Sequence, residues 1–582
     1  MDRATERGGG GWRSLLAYYL FFAYFSVVEQ AIIYASGIAD FFGVAQSLLM
    51  SLLWLVPVLL LPRHGRTIAG IIGLVVWLTS LVSLGYLAIY HQEFSQGVIF
   101  TLFESNWAES SEYLESYFAW WMLPALAVYS LVPWLMWRRL RGLQMRPTPR
   151  LILAIGLLVA VFWPGLGPWA LKGAPPELAL RIQADHMEPV APWQLVIGYA
   201  KYRDALQATE NRLLSQAGHR TLPGLIDRNR DTANTLVLVI GESTNSRRMG
   251  LYGYWRNTTP RLSALAPELL VFDQVYAARP YTIESLEQVL SFADQRHPKR
   301  YLESPTLIEI MKQAGYRTYW ITNQQTQTRR NTLLTTFSKQ ADEQIYLNNN
   351  RSQNSARYDE VVFRPFEDIL HNEVPKKFIL VHLIGTHRAY RYRYPDSFNV
   401  FEGRPDTPRW LHKARQRREY NDYDNAVRYN DFVVAGLIQR LKESGANGFL
   451  VYFADHGEEV YDFPGRPFAG RNEKAPTLPM YSVPFLIWRS ESWKRRNPVA
   501  VPERMVRRLY SLSDFIFTWL DLAGIGFDGF DPGRSIVNPR YRPHPVLIGN
   551  PEAPETLIDL RQQFQAAARR AGAGAKAVAP LK

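Results

Sequence analysis

Long apolar runs occupy the first third of the chain, and shorter apolar runs alternate with amphipathic ones after it. A helix that crosses a membrane needs about 20 mainly apolar residues. The first run is too long for a cleavable signal peptide and lacks a small-residue cleavage site, so we expect it to be retained as a span. Runs of sufficient length predict a five-helix transmembrane bundle in residues 1–171, with spans at about 13–36, 42–62, 67–90, 117–137 and 151–171.

Arginines between the spans predict how the bundle is oriented. The N-terminus and the connections at 63–66 and 138–150 are basic, whereas residues 91–116 contain five glutamates and no lysine or arginine. Basic connections stay in the cytoplasm. The N-terminus is therefore predicted to be cytoplasmic, and five spans then place everything after about residue 172 on the far side of the membrane.

Residues 172–234 are predicted to bridge the bundle to an outer domain. The amphipathic run at 193–214 suits a helix on the membrane surface, and a core or bridging helix is the alternative. A polar linker follows at 227–234. Within the first span, Glu29 is either functional or packed as a neutral group between helices or near the outer end, because a charge in the bilayer is costly. The low-complexity tail at 565–582 is predicted to be disordered.

An outer domain is predicted over residues 235–564. Apolar runs of strand length alternate there with helical runs, which indicates an α/β domain whose mainly parallel sheet is covered by helices on both faces. The candidate strands are 235–241, 269–275, 317–322, 377–384, 448–454 and 481–488. The candidate helices are 281–293, 305–315, 420–444 and 512–523.

Chemically active side chains follow four of these strands. Glu242 follows the first, Asp455 and His456 follow "GFLVYFA", His387 follows "KKFILVHLIG", and Thr282 comes at a helix start after the 269–280 run. Sites in parallel sheets lie beyond the carboxyl ends of the strands, so we expect these residues to meet at one edge. Oxygen and imidazole ligands without thiolate suit zinc or manganese.

Each of these residues alone has an ordinary structural explanation. Thr282 is also a plain helix cap, and each histidine could be satisfied within a turn or the core. Their joint occurrence at strand ends is what favours a metal site.

Composition removes several other classes of function. The chain has no cysteine, which excludes disulfides, thiolate metal sites and cysteine nucleophiles. The net charge of +13 is spread widely, and no nucleic-acid reading motif accompanies it. We therefore expect no nucleic-acid partner.

Four motifs carry a family resemblance. They are "GESTNSRRMGLYGYWRNTTP" (241–260), "RPYTIESLEQVLSFA" (279–293), "LVHLIGTHRAY" (380–390) and "FADHGEEV" (453–460). With these motifs the chain resembles the lipopolysaccharide phosphoethanolamine transferases of the alkaline-phosphatase/sulfatase superfamily, and most of all the CptA-type branch that modifies the core. The resemblance covers nearly the whole chain, including the five spans.

The resemblance implies a role for each strand-end residue. Glu242, Asp455 and His456 match zinc ligands, and Thr282 matches a nucleophile that also contacts the metal. His387 matches a histidine near the donor phosphate that is also a candidate ligand for a second metal. Some relatives carry another histidine after the Asp-His-Gly-Glu motif, but residues 459–479 contain none here, so we expect one tightly held zinc ion rather than two.

Further residues match substrate contacts in the family. Arg471 and Asn472 lie where some relatives have a histidine, and Arg471 would neutralise phosphate charge. Thr101, Ser105 and Glu109 share one helical face and match residues that reach the ethanolamine end of the donor, with a solvated acidic face as the alternative. Asn323 and Arg329 are two more candidate substrate contacts.

The implied reaction is transfer of phosphoethanolamine from phosphatidylethanolamine to lipopolysaccharide, with the core oligosaccharide favoured over lipid A, through a covalent phosphothreonine-type intermediate. The implied location is the inner membrane, with a periplasmic catalytic domain. The alternative is a glycerophosphate transferase of the lipoteichoic-acid-synthase or glucan-modifying type. A sulfatase is excluded because the formylglycine motif is absent.

Overall fold

The computed structural model describes residues 6–37, 41–90, 119–173, 175–201, 203–204, 221–324, 333–348, 358–403, 407–473, 475–498 and 503–562. The chain divides into two compact units, residues 1–207 and residues 208–582.

The first unit is helical. Four stretches of its described residues are long and apolar enough to cross a membrane: Gly11–Ala35, Phe42–Leu60, Pro62–Ala88 and Pro147–Leu171. Its α-helices are Glu6–Ala35, Phe42–Met50, Leu55–Leu60, Gly65–Tyr90, Met122–Arg139, Pro147–Lys172 and Pro176–Met187.

The predicted span at 117–137 lies on helix Met122–Arg139, which is not among the four. This helix has 18 residues, contains Pro133 and ends in Arg138 and Arg139. Two charges in so short a helix lower its average hydropathy below that of the other four. The count of five membrane spans is therefore not confirmed.

Aromatic side chains of the first helix form the core of this unit. Phe21, Phe22 and Phe25 are buried with Val58 and other apolar residues. A Cβ at Gly73 would lie only 2.5 Å from the ring of Phe21, so the glycine allows this close helix packing.

A buried acid and one helix of the first unit can be compared with the predictions from the sequence. Glu29 is fully buried, which agrees with a position between helices. The predicted helix at 193–214 is helical over 193–201 and 203–204, and its remaining residues lie outside the described part of the chain. Its first residue, Trp193, stacks on Trp54 with ring centroids 5.8 Å apart. The head of this helix therefore packs within the unit.

The second unit contains a seven-stranded sheet. Its strands in chain order are β1 Asn234–Gly241, β2 Leu269–Val271, β3 Arg317–Thr322, β4 Glu343–Tyr346, β5 Lys376–His382, β6 Gly448–Ala454 and β7 Phe485–Arg489. The spatial order is β2-β7-β6-β1-β5-β3-β4. Strand β7 is antiparallel to β2 and β6, and the other pairings are parallel.

Helices cover both faces of the sheet. Alternate residues of β1 enter opposite cores, Leu238 on one face and Val239 on the other, which is why this strand is apolar throughout. The α-helices of this unit are Pro260–Leu265, Thr282–Val289, Leu307–Gln313, Leu333–Ser338, Phe363–His371, Ala414–Glu443, Leu478–Tyr481, Glu491–Arg496 and Phe515–Ala523.

Short strand pairs lie outside the main sheet. The predicted strand 269–275 stops at Val271, and Val275–Tyr276 pairs separately. Strand β4 was not anticipated, because its short sequence "EQIY" lacks a fully apolar run. The pairs are Ile226–Asp227 with Ile525–Gly526, Val275–Tyr276 with Tyr510–Ser511, Glu459–Val460 with Ala469–Gly470, and Leu547–Ile548 with Ile558–Asp559.

Candidate metal and nucleophile site

The central parallel strands end level with one another. Ile240 of β1 lies opposite Phe453 of β6 and His382 of β5. The residues that follow, Glu242 and Asp455, therefore emerge side by side at the carboxyl edge of the sheet, where ligand sites of such sheets form.

Glu242, Asp455 and His456 form a buried cluster. One potential ligand atom from each lies within 4.8 Å of the others. His456 Nε2 lies 3.2 Å from Glu242 Oε1 and 3.3 Å from Asp455 Oδ2. The three side chains are at most 1% exposed.

Local hydrogen bonds aim these side chains at a common point. Asp455 Oδ1 accepts from the backbone N–H groups of Ser243 at 3.1 Å and His456 at 2.8 Å, whereas Oδ2 accepts no hydrogen bond from the described residues. His456 Nδ1 donates to the carbonyl oxygen of Gly457 at 2.9 Å. With the proton held on Nδ1, Nε2 presents a lone pair to the cluster.

Thr282 completes the cluster. It is the first residue of helix Thr282–Val289, whose N-cap is Tyr281, so the threonine hydroxyl is not used for capping. Its Oγ1 donates to Glu242 Oε2 at 2.9 Å and lies 3.4 Å from His456 Nε2. A hydroxyl at a helix start also lies in the positive end of the helix dipole.

The two carboxylates have opposite pKa shifts. Burial alone would raise the pKa of Glu242, but the neighbouring His456, His387 and Arg471 hold that pKa well below its usual value. Burial and the negative charge of Glu242 raise the pKa of Asp455 above its usual value. Two buried carboxylates this close cannot both ionise cheaply unless a cation joins them.

This donor set fits a zinc ion. Carboxylate oxygens and imidazole nitrogens are ligand types that zinc binds, and Asp455 Oδ2 accepts no hydrogen bond from the described residues. The guanidinium of Arg471 lies against the same cluster, with Nη1 2.6 Å from His456 Nε2 and 3.7 Å from Glu242 Oε1.

Several residues that support the cluster were missed in the sequence. Ser243 adopts a left-handed φ of 58° and donates from Oγ to Glu242 Oε1 at 2.8 Å. Gln324 Nε2 donates to Glu242 Oε2 at 3.2 Å, and Ser285 Oγ donates to the carbonyl oxygen of Asp455 at 2.6 Å. Gln324 could have been found, because it follows the end of β3.

The predicted substrate contacts lie in different surroundings. Burial lowers the pKa of His387 to about 3, and its Nδ1 has no hydrogen-bond partner among the described residues. Asn323 Nδ2 donates to Asp359, which accepts from the backbone N–H groups of Ile384 and Gly385. This contact supports the loop that precedes His387.

Asn472 Oδ1 accepts from the backbone N–H of Ala475 at 3.3 Å. Thr101, Ser105, Glu109 and Arg329 lie outside the described residues.

Thr244 is another hydroxyl residue that follows β1. Its Oγ1 donates to the backbone carbonyl of Glu242 at 3.3 Å and contacts Thr386 Oγ1 at 3.2 Å. It is fully buried. Thr282 is therefore the better placed nucleophile of the two.

Known proteins are similar to this chain in sequence and in fold. The sulfatase family profile matches residues 234–525. Phosphoethanolamine transferase CptA from Salmonella typhimurium is 48% identical over 559 residues, which cover 94% of this chain and 96% of that protein.

Two solved structures extend the comparison. The crystal structure of the C-terminal periplasmic domain of EcEptC from Escherichia coli, a complex with Zn, is 52% identical, with a TM-score of 0.57 over 58% of this chain and 95% of that chain. The integral membrane protein EptA from Neisseria meningitidis is 20% identical, with a TM-score of 0.57 over 91% of this chain and 98% of that chain, which shows a shared fold.

One assignment follows from the cluster at the strand ends, the sulfatase domain and the 48% identity over 94% of the chain. The chain is a membrane protein that belongs to the phosphoethanolamine transferases of the EptC/CptA type, within the alkaline-phosphatase superfamily.

Proposed function

We propose that this transferase takes phosphoethanolamine from phosphatidylethanolamine and passes it through Thr282 to lipopolysaccharide. The observation that carries the proposal is the position of Thr282 Oγ1 at a helix start, 2.9 Å from Glu242 Oε2 and 3.4 Å from His456 Nε2. A side chain so placed can act as a nucleophile on phosphorus.

Glu242, Asp455 and His456 would hold one zinc ion, with Thr282 next to it. A zinc ion there would supply Lewis acidity that lowers the pKa of an adjacent hydroxyl. The Zn complex of the Escherichia coli domain supports this choice of metal. Manganese is the alternative, and a second zinc would find no histidine in residues 459–479.

The reaction proceeds in two displacements at phosphorus. Thr282 Oγ1 attacks the donor, an O–P bond forms to Thr282, and the P–O bond to diacylglycerol breaks. The threonine loses its proton, and diacylglycerol leaves as an alcohol after taking up one. An acceptor oxygen of lipopolysaccharide then attacks the same phosphorus, a P–O bond to the acceptor forms, and the P–O bond to Thr282 breaks. The acceptor loses its proton, and Thr282 Oγ1 takes one up.

Positive charge beside Thr282 suits an anionic phosphodiester. The Arg471 guanidinium lies against the cluster, and the N-terminus of helix Thr282–Val289 adds a partial positive charge. In this proposal the imidazole of His387 hydrogen-bonds a phosphate oxygen through Nδ1. Asn472 and Asn323 remain predicted substrate contacts. So do Thr101, Ser105, Glu109 and Arg329, which lie outside the described part of the chain.

The membrane unit fits a lipid donor. We propose five spans, a cytoplasmic N-terminus and a periplasmic catalytic unit in the inner membrane, supported by the arginine-rich connections at 63–66 and 138–150. Among lipopolysaccharide acceptors we favour the core oligosaccharide over lipid A, because CptA-type relatives match over almost the whole chain. A glycerophosphate donor is the alternative that the same fold could serve.

Peptide mass spectrometry of the full-length protein after incubation with phosphatidylethanolamine tests the proposal. We expect a phosphoethanolamine adduct on Thr282 that is absent in Thr282→Ala and present in the matched control Thr244→Ala. Transfer without an adduct on Thr282 would contradict the covalent route. A glycerophosphate adduct from phosphatidylglycerol would favour the alternative donor.

A further inference from the structure

A basic surface lies beside the candidate site. Residues 407–419, "TPRWLHKARQRRE", contain five lysines and arginines and one acid. We define the acceptor rim as Arg388, Arg409, Trp410, Lys413 and Arg418.

The rim is tied to the site through one hairpin. Strands Glu459–Val460 and Ala469–Gly470 pair between His456 and Arg471, so both ends of this hairpin lie at the cluster. Just past the first strand, the carbonyl oxygen of Tyr461 accepts from Trp410 Nε1 at 3.1 Å. On the second strand, the carbonyl oxygen of Ala469 accepts from Arg388 Nη1 at 2.8 Å. Trp410 and Arg388 therefore both contact the hairpin that connects His456 to Arg471.

Three cations of the rim are available to a ligand. Arg409, Lys413 and Arg418 are exposed, and none forms an ion pair within the described part of the chain. Their neighbours are already used: Arg415 pairs with Glu419 at 2.8 Å, and Arg417 donates to backbone carbonyls. Unpaired like charges repel one another, so this surface gains most from a partner with several negative charges.

Trp410 adds an apolar contact among the cations. Its side chain is 39% exposed although its N–H group is satisfied by Tyr461. An exposed tryptophan whose N–H group is already bonded suits the apolar face of a sugar ring. A phosphorylated sugar offers apolar ring faces beside its phosphates, which matches a tryptophan placed among cations.

We propose that the acceptor rim binds the phosphorylated core sugars of lipopolysaccharide and holds them next to Thr282. This inference rests on the proposed function, because it concerns the second displacement. The rim is not needed for the first displacement, in which the lipid donor reacts with Thr282.

Binding of a phosphorylated core oligosaccharide, released from lipopolysaccharide and free of lipid A, tests the rim directly. The test variant of the full-length protein is Arg409→Gln, Lys413→Gln and Arg418→Gln together. Each exposed charge pair is worth a factor of about two, so the dissociation constant should rise roughly tenfold.

A matched control removes the same charge elsewhere. Arg228, Arg495 and Arg496 are exposed, and two of them line a shallow hollow with Asn447 at the amino ends of β1 and β6. Changing these three to glutamine should leave core binding within about twofold of the unchanged protein. Trp410→Ala should weaken binding even of a dephosphorylated core, which the triple rim variant should not.

The outcomes separate this inference from the proposed function. Equal binding by the two triple variants would overturn the rim, as would weaker binding of the rim variant to anionic phospholipid vesicles with unchanged core binding. The rim variant should still form the Thr282 adduct at the unchanged rate. Absence of that adduct in the unchanged protein would contradict the proposed function, while the binding result would still decide the rim.

Discussion

Gly385 offers a specific test of how the metal ligands are positioned. It adopts a φ of +52°, and a Cβ built there would lie 2.7 Å from the backbone nitrogen of Glu242 and 2.8 Å from its carbonyl oxygen. The next residue, Thr386, donates to that same carbonyl from both its N–H at 3.0 Å and its hydroxyl at 3.1 Å. Gly385→Ala should therefore displace Glu242 itself.

Gly445 separates backbone strain from this displacement. It has a φ of +65°, and a Cβ there would meet nothing within 4 Å. Alanine in the left-handed region costs about 1 kcal/mol, so both variants should lose about that much stability. Only Gly385→Ala adds a clash with rigid backbone, which costs about 1–3 kcal/mol more.

The activity of the two variants should differ far more than their stability. A shift of about 1 Å at a reacting group costs roughly 100-fold in rate, and disturbed ligand support costs about 10–100-fold in metal affinity. We expect Gly385→Ala to lose both zinc and adduct formation on Thr282, measured by metal analysis and mass spectrometry, and Gly445→Ala to retain them. Equal zinc content and adduct rate in the two variants would refute the reasoning.

Three further predictions follow from the ligands, a buried acid and the membrane arrangement. Chelation should prevent adduct formation until zinc is restored. Asp455→Asn should lower zinc affinity by more than about 100-fold, because loss of a ligand costs more than loss of a residue that only supports a ligand. Unchanged zinc binding in equilibrium dialysis would contradict this. Asp431 accepts two backbone N–H groups, and burial raises its pKa to about 6. The folded state then binds a proton on Asp431 more tightly than the unfolded state does, so the free energy of unfolding should fall by about 2 kcal/mol as pH rises from 4 to 6. Urea unfolding should show this fall in the unchanged protein and not in Asp431→Asn. Parallel pH profiles of the two proteins would count against it. Because the chain lacks cysteine, single introduced cysteines can report membrane topology. In whole cells with a permeabilised outer membrane, a membrane-impermeant maleimide should label Ser397→Cys and leave Gly142→Cys unlabelled. The reverse pattern would exclude the proposed orientation.

Local sequence carried much of the fold and of the candidate site. Strand β1 is buried on both faces, so its apolar run "LVLVI" reveals a central strand without any knowledge of its neighbours. Glu242, Asp455 and His456 come directly after such strands, so their place at the carboxyl edge follows from the chain itself. The family resemblance singled out Thr282 before its contacts were known.

Other sequence predictions were limited by weak local signals. The helix predicted at 420–444 begins earlier, at Ala414. Its first turns were not predicted because they are basic and exposed and show no apolar period. The span predicted at 117–137 remained a prediction because Arg138 and Arg139 lie within the helix that would form it. Neither segment carries a local pattern strong enough to define its ends.

Tertiary structure decided which residues touch. Ile240 lies level with Phe453 and His382 through pairings between strands far apart in the chain, and this register brings Glu242 to Asp455. The support from Gln324 and the meeting of Trp410 with the hairpin at Tyr461 likewise join distant segments. Hydrophobic periodicity reports which face of an element is buried, because that property repeats along the chain. Contacts between distant segments leave no such repeat, so they are determined only when the sheet and its helices pack together.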